Sequence, residues 1–522
     1  MANPLPYADA APARPRSRTG AAAAFAVGPD DPRYAFLVGR GINRRLTTKP
    51  AVVYTPAGTE QVRRAVAAAL ADGQRIAVRS GGHCIEALVD NADVAALIDL
   101  SRLRQVTWDP VHRAFSVGGG ALLRDVYREL FLGHGVAVPG GTCPTVGVGG
   151  YVLGGGFGAR SRRHGLVVDH LYGVEVVVTD GAGRVRRVVA TRDTDDPHHD
   201  LWWAHTGAGG GSFGVVTRFL FRSPDASGAD PSRALPRPAA RSLVATVRWP
   251  WETLTEPAFT RLVTNYGAWH AEHSGVDTPF ADLNSSLVLS CRAAGQVTLV
   301  CEIHGDGAEQ MLDSYLSAVT AGLTVPHTRD VRSLPWLDAV YAELYTTMSP
   351  IFNRYKGKGA YLRRPYDAEQ IAIAYRYLSD PAYTGRAAIN LLAYGGAINA
   401  VDPAATAVAQ RDSILKSYVG TAWSAADPDE QHLTWLRHFY RDLHAATGGV
   451  PMPSSATDGS YINYPDTDLA NPVWNSSGVP WHALYFKGNY ARLQQIKARY
   501  DPADRFRHPL SVQLPGQSED QA

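Results

Sequence analysis

Cysteine is scarce in this chain: Cys84, Cys143, Cys291 and Cys301 are all that 522 residues contain. So few cannot staple a chain of this length, which excludes a disulfide framework. Long hydrophobic runs are missing as well, and nothing approaches the roughly eighteen apolar residues of a bilayer-spanning helix. Near the start, "RPRSRTGAAAAFAVG" sets a basic patch before a short alanine-rich stretch of about seven residues, at the lower limit for a secretion signal. We therefore expect a non-exported arm and a cytoplasmic protein; without export the N-x-S triplets at Asn284 and Asn475 carry little weight. Charge of one sign is lacking too. Basic residues number 51 against 49 acidic ones, and no basic block exceeds "RPRSR", which argues against nucleic acid and for a small-molecule partner. No paired-Cys or H-E-x-x-H spacing occurs, so no metal site is expected and "PHHD" at 197–200 reads as a solvated loop.

What is present is an apolar content of 45% with 19% charge, the balance of a folded enzyme with room for two or three domains. "AVVYTPAGTEQVRRAVAAALADGQRIAVRS" reads as strand, helix, strand, with Val62, Val66 and Leu70 one turn apart and Gly73 as the stop. "ALLRDVYRELFLGHG" reads as a second helix, "LYGVEVVVTDGAGRVRRVVAT" as a hairpin and "GVVTRFLFRS" as a strand. "SPDASGADPSRALPRPAARS" is a linker by composition. Beyond it come strands ("SLVATVRW", "SSLVLSCRA", "QVTLVCEIHG") and amphipathic helices, the last carrying Tyr490, Leu493, Ile496 and Tyr500. The fold class is α+β.

Two glycine-dense stretches stand out: "RSGGHC" at 79–84 and "GGTCPTVGVGGYVLGGGFG" at 140–158. Gly81 and Gly82 bring backbone amides close to a ligand, and successive N–H groups in such a turn form an anion site suited to a pyrophosphate. His83 and Cys143 sit inside these loops as paired nucleophiles. A formal G-x-G-x-x-G at Gly209, Gly211 and Gly214 is a chance match, because a strand follows it where a nicotinamide-binding turn needs a helix.

These stretches, with "RRHGLVVDHLYGVEVV", "LWWAHTGAGGGSFGVVTRF", "YKGKGAYLRRP" and "YINYPDTDL", resemble the flavin-linked oxidases related to berberine bridge enzyme. The resemblance runs from about residue 47 to 515. It is nearest to bacterial hexose oxidases and antibiotic-tailoring oxidases that hold FAD by two covalent bonds. It implies a two-part FAD-binding domain of the p-cresol methylhydroxylase type and a substrate domain whose antiparallel sheet is covered by helices. The expected divisions are an arm and lead-in at 1–46, the FAD-binding domain at 47–222, the linker at 223–242 and the substrate domain at 243–464. A segment at 465–515 returns to the FAD-binding domain, and 516–522 is a tail.

The resemblance also assigns residues. His83 falls on the position joined to the flavin 8α-methyl and Cys143 on the one joined to C6; Cys84 is a local rival. Arg79, Ser80, Gly81 and Gly82 belong to the first cofactor turn. Gly141, Thr142, Val146, Gly147, Gly149, Gly150, Gly154 and Gly158 belong to the second loop. His164, Gly165 and Val168, then Gly214 and Val216, and finally Asn463, complete the cofactor set. Tyr464, in "YINYPD", falls on the general-base position, with Tyr461 and Tyr394 as partners and Asp466 or Asp468 as auxiliary acceptors. An alcohol cannot give up a hydride unless its O–H proton leaves too, and a phenol with an ordinary pKa near 10 must be lowered to take it. The expected reaction is hydride transfer from an alcohol or hemiacetal carbon of a sugar or glycosylated metabolite to FAD, with O2 reoxidising the flavin to give H2O2. The alternative is oxidative cyclisation or desaturation of an alkaloid or polyketide. Of the aromatics at Trp336, Tyr341, Tyr345, Tyr355, Tyr361, Tyr366, Tyr375 and Tyr377, most are read as packing and some as a stacking platform. Lys356, Lys358, Arg363 and Arg364 are read as a carboxylate-greeting or solvated loop. Oligomeric state is left open.

Overall fold

The computed structural model describes residues 25–347 and 354–516, with the backbone alone over 342–347. Residues 1–24 of the expected arm, the Tyr345 side chain and residues 517–522 of the tail lie outside the described residues. Three sheets carry the chain. The first has strands β1 (Ala26–Val27), β2 (Val52–Tyr54), β3 (Ile76–Arg79) and β4 (Ala96–Asp99) in the order β1-β2-β4-β3. β2 and β3 flank β4 in parallel, which suits the buried apolar runs "VVY" and "ALID". The crossover helix Thr59–Ala71 buries Val62, Ala65, Val66 and Ala69. Within the stretch expected as arm and lead-in, β1 pairs with β2 through Ala26 and Val27. Those two residues are short and apolar, and they extend a sheet edge.

The second sheet is antiparallel: β5 (Val106–Asp109), β6 (Ala114–Gly118), β7 (Leu171–Thr179), β8 (Val185–Thr191) and β9 (Val215–Phe221), in the order β5-β6-β9-β7-β8. Helix Leu123–His134 packs beside it and ends at Gly135 with φ +67°. Two loops of the sequence reading are partly helical. Val148–Leu153 forms a helix inside the second glycine stretch, and His199 opens a helix to Ala204 within the expected "PHHD" loop.

The third sheet has seven antiparallel strands: β10 (Arg241–Pro250), β11 (Leu283–Ser290), β12 (Gln296–His304), β13 (Thr328–Pro335), β14 (Arg354–Leu362), β15 (Arg386–Ala393) and β16 (Leu415–Trp423). Their order is β13-β10-β12-β11-β15-β16-β14. The linker ends inside β10. Helices Glu256–His273, Ala308–Val319, Ala368–Ser379 and Asp429–Leu443 cover one face. The strand period of two does the rest: Ala387, Ile389, Leu391 and Ala393 of β15 are buried, while Arg386, Ala388, Asn390 and Leu392 border a cavity. The helix Tyr490–Tyr500 buries the four expected residues and packs on the His199–Ala204 helix. Its Lys497 Nζ donates to the Ser212 carbonyl at 2.8 Å and pairs with Asp501 at 2.6 Å.

Lys356 and Lys358 do not stand in a solvated loop, and Lys356 borders the cavity described below. β14 carries both inward, where they are buried. Lys356 pairs with Glu86 and, at 2.8 Å, with Asp466; Lys358 meets Asp466 and Asp468, each at 2.7 Å. Arg437 closes the group on Asp468 at 3.0 Å. Arg363 likewise pairs with buried Asp458 at 2.6 Å. Burial pushes the Glu86 and Asp468 carboxyls up, but Lys356 beside Glu86, and Lys358 with Lys356 beside Asp468, outweigh it and hold both below the usual range. Carboxyls lowered in the folded state contribute stability that is complete above their unfolded pKa, about 4, and is lost as pH falls through the folded value. The melting temperature is thus expected to drop below about pH 4, and Lys356→Met to flatten that drop. Thermal melts across this range check it, and an unchanged acid slope in Lys356→Met would count against the cluster as its source.

Candidate active site

β3 delivers Arg79 to the end of the first sheet, where Nη1 donates to the Leu37 carbonyl at 2.5 Å and the guanidinium pairs with Asp90. The turn that follows is fused to the second glycine loop, backbone on backbone. A Cβ on Gly81 would lie 2.3 Å from the Gly147 nitrogen, and Gly82 has φ +80°, so no other residue fits either place without a shift. Ser80 Oγ donates to the Gly119 carbonyl at 2.7 Å and accepts from the Gly149 amide at 3.3 Å. This fusion brings His83 and Cys143 together through one side chain. Thr145 Oγ1 lies 2.9 Å from His83 Nε2 and 3.6 Å from Cys143 Sγ.

Burial pulls His83 down to about 4, so its imidazole is neutral near pH 7. Cys84 borders the same space, but its thiol donates to the Glu86 carbonyl at 3.2 Å and burial pushes it up to about 11. Its thiolate, the nucleophilic form, is therefore scarce.

A cavity of about 760 Å³ runs from the first sheet, between the glycine loops, to the inner face of the third sheet. Arg79, Ser80, Gly81, Gly82 and His83 line one end. Gly141, Thr142, Cys143, Val146, Gly147 and Gly149 follow, then Gly150, Gly158, Gly214 and Val216. Tyr461, Asn463 and Tyr464 line the opposite wall. A Cβ at Gly150 would meet no atom of the chain within 4 Å, leaving open space where a ligand can approach the helix backbone. Volume, close amides and paired nucleophiles fit a flavin dinucleotide.

Seven of the expected residues do not border the cavity. Tyr394 is buried behind it and donates to the Gln410 carbonyl at 3.1 Å, its ring meeting Tyr361 edge-on and Phe157 at a tilt. His164 contacts Arg160 at 2.9 Å, and Val168 is core. Gly165 turns the chain beside Asp169. Gly154 serves at one remove: a Cβ there would sit 2.2 Å from Asn463 Oδ1, so its bareness lets Asn463 reach in. Asn463 Nδ2 donates to the Tyr151 carbonyl at 2.8 Å and to Tyr461 Oη at 3.0 Å. Asp466 and Asp468 are held by the lysines and do not line the cavity. The nicotinamide-type glycines run directly into β9, as the strand-like sequence indicates.

Lys416 was missed by sequence reasoning. β16 points it into the cavity among aromatic faces, its Nζ 3.6 Å from the Tyr461 ring centre, 4.3 Å from Phe157 and 4.9 Å from Tyr464. Among the described residues this buried amine has no hydrogen-bond partner, and burial pulls it well below its ordinary value. A lone cation two residues from Tyr418 in the strand "LKSYVGTAW" was its available signal. Tyr464 packs on Tyr418 at 4.6 Å and on Tyr461 at 5.1 Å, and burial pushes its phenol up to about 12.

A family model described as an FAD binding domain matches residues 50–188, and one described as berberine and berberine like matches residues 460–513. The chain is 52% identical to the aclacinomycin-N/aclacinomycin-A oxidase of Streptomyces galilaeus, over 93% of this chain and 89% of that protein. It is 30% identical to the hexose oxidase of Chondrus crispus over 88% and 89%. A crystallised glycopeptide hexose oxidase complexed with teicoplanin superposes with a TM-score of 0.90 at 44% identity, covering 94% of this chain and 98% of that one. With its α+β architecture and p-cresol-methylhydroxylase-type cofactor half, the chain belongs to the berberine-bridge-enzyme-like family of FAD-linked oxidases.

Proposed function

We propose that this enzyme oxidises an alcohol or hemiacetal carbon of a sugar, free or carried on a glycosylated metabolite, with dioxygen taking up the two electrons as hydrogen peroxide. The observation that carries this reading is the tyrosine–lysine group facing the two nucleophile-bearing loops across one cavity. FAD, when bound, supplies the hydride acceptor. His83 and Cys143 are the residues to hold it covalently, by a C–N bond at the 8α-methyl and a C–S bond at C6. Each bond would replace a C–H and an N–H or S–H and release two protons and two electrons, for which dioxygen would be the acceptor.

Tyr464 takes the proton of the substrate hydroxyl. Its phenol, pushed up to about 12 by burial, needs an opposing influence to act as a base, and Lys416 is placed to supply it. The neutral phenol–amine pair and the phenolate–ammonium pair differ only in where one proton lies. The aromatic faces around Nζ favour the ammonium by about 0.5–2 kcal/mol. Nζ lies 4.9 Å from the Tyr464 ring centre, near enough for opposite charges on the two groups to attract. Asn463 orients Tyr461 beside them.

The inner face of the third sheet supports a sugar. Asn284, Asn390 and Tyr418 offer polar groups, while Ala388, Gly420 and Ala422 leave room above the strands. The two hexose oxidases and the aclacinomycin oxidase among the relatives point the same way. A peroxidase-coupled screen of free hexoses, glycosylated metabolites and their aglycones tests it. Peroxide is expected from sugar-bearing compounds. Release from unglycosylated alkaloids or polyketides alone would favour oxidative cyclisation or desaturation instead.

A further inference from the structure

We infer that the Thr145 hydroxyl governs attachment of the flavin, fixing which ring nitrogen of His83 is free for the cofactor and relaying the proton of the Cys143 thiol. This rests on the covalent reading above. The geometry is a three-member chain, with Oγ1 at 2.9 Å from Nε2 and 3.6 Å from Sγ. A neutral imidazole has one N–H and one lone pair, and a hydroxyl can donate and accept at once. Because Nε2 is engaged by Thr145, Nδ1 is the nitrogen left for the cavity that His83 lines.

The same chain runs in two directions. With Nε2–H donating to Oγ1, the Nδ1 lone pair is the nucleophile. With the order reversed, the thiol proton passes to Oγ1 while the hydroxyl proton passes to Nε2. One proton leaves sulfur, one arrives at nitrogen, and Thr145 ends as it began. The product is a thiolate, the reactive form of cysteine. No electron moves in this relay; the two electrons of each bond-forming step go to dioxygen, as stated above.

The hydroxyl is held in place by its own backbone. The Val146 amide donates to the Cys143 carbonyl at 3.3 Å, and a Cβ on Gly81 would lie 2.9 Å from the Thr145 carbonyl. The fused loops therefore fix Oγ1 between the two nucleophiles. Neutral His83 keeps one lone pair, and because burial pulls it down to about 4 and disfavours the imidazolium, Nε2 holds the relayed proton only until the C–S bond forms. Thr145 is a positioning residue here; it forms no bond to the cofactor.

The test uses full-length chain produced under flavin limitation, then given FAD. Acid-quenched samples are digested, and flavin on the His83 and Cys143 peptides is measured separately by mass. Thr145→Val keeps the shape and removes the hydroxyl; Thr145→Ser restores it. The Cys143 link is expected to form about 10²-fold more slowly in Thr145→Val, with the His83 link slowed less, and Thr145→Ser to behave as the parent. Native absorbance shows whether each variant still binds FAD. Both links forming at the parent rate in Thr145→Val would overturn the inference alone, whereas a parent without covalent flavin would overturn the attachment reading and this inference together. If Thr145→Val fails to fold, His83→Ala decides, because it deletes the proton acceptor. The Cys143 link should then slow to a similar degree, and an undiminished rate would overturn the relay.

Discussion

Tyr464→Phe is expected to bind FAD with an unaltered spectrum and to be reduced by substrate about 10²–10⁴-fold more slowly, or roughly 3–5 kcal/mol of added barrier. The benzene ring preserves the contacts with Tyr418 and Tyr461, so the loss is that of one oxygen. Reoxidation by dioxygen does not need this proton transfer and should barely change; stopped-flow measurement separates the two half-reactions. pH adds a second signature. Since burial holds the phenol up, at about 12, the parent's reduction rate should climb with pH as more phenolate forms. Lys416→Met removes the amine to which the phenol's proton can pass and should slow reduction at neutral pH while leaving the climb with pH in place. Reduction of Tyr464→Phe at the parental rate would place the base elsewhere, with Tyr461 next in line.

The second large effect concerns the two tethers. Acid precipitation of the parent is expected to leave a yellow pellet, and of the His83→Ala, Cys143→Ala double variant a colourless pellet under a yellow supernatant. Each single variant should keep one link and most of its colour. A single variant that still releases all its flavin after incubation with FAD long enough to complete the slowed Cys143 link would show that the other residue is not an attachment point. Non-covalent contacts remain in the double variant, because the fusion of Gly81 with Gly147 and the Ser80 bonds do not involve the deleted side chains. It should thus still bind FAD, reversibly.

Much of this site is legible in the primary structure because its chemistry is local. "RSGGHC" and "GGTCPT" each put a nucleophile inside a run of glycines, and period-two alternation in "RAAINLLA" marks the face that borders the cavity. What stayed hidden is whatever depends on three-dimensional company. Lys416 reads as a strand charge until four aromatic rings are seen around it. Lys356 and Lys358 read as solvent-facing because their acidic partners at 86, 466 and 468 are remote in sequence. Tyr394 illustrates the reverse error: it continues the cavity-facing parity of β15 but lies one residue past the strand's end, where it is buried and does not border the cavity. The helix Val148–Leu153 escaped notice since its two glycines argue against helix by propensity, while close packing of Gly149 on Ser80 and Gly119 overrides it.

The buried lysine–carboxylate group also has a consequence in time. Glu86 lies three residues beyond His83, and its partner Lys356 is in turn held by Asp466. A ribosome makes these anchors in order, the turn first and Asp466 near the end, and domains tend to fold as they emerge. The Glu86–Lys356–Asp466 brace beyond the His83 turn cannot form until residue 466 has left the exit tunnel and closed a loop of about 380 residues, an entropic cost that grows only slowly with loop length. A nascent chain arrested before the "YINYPD" segment would therefore meet the cofactor with its first loop still unbraced.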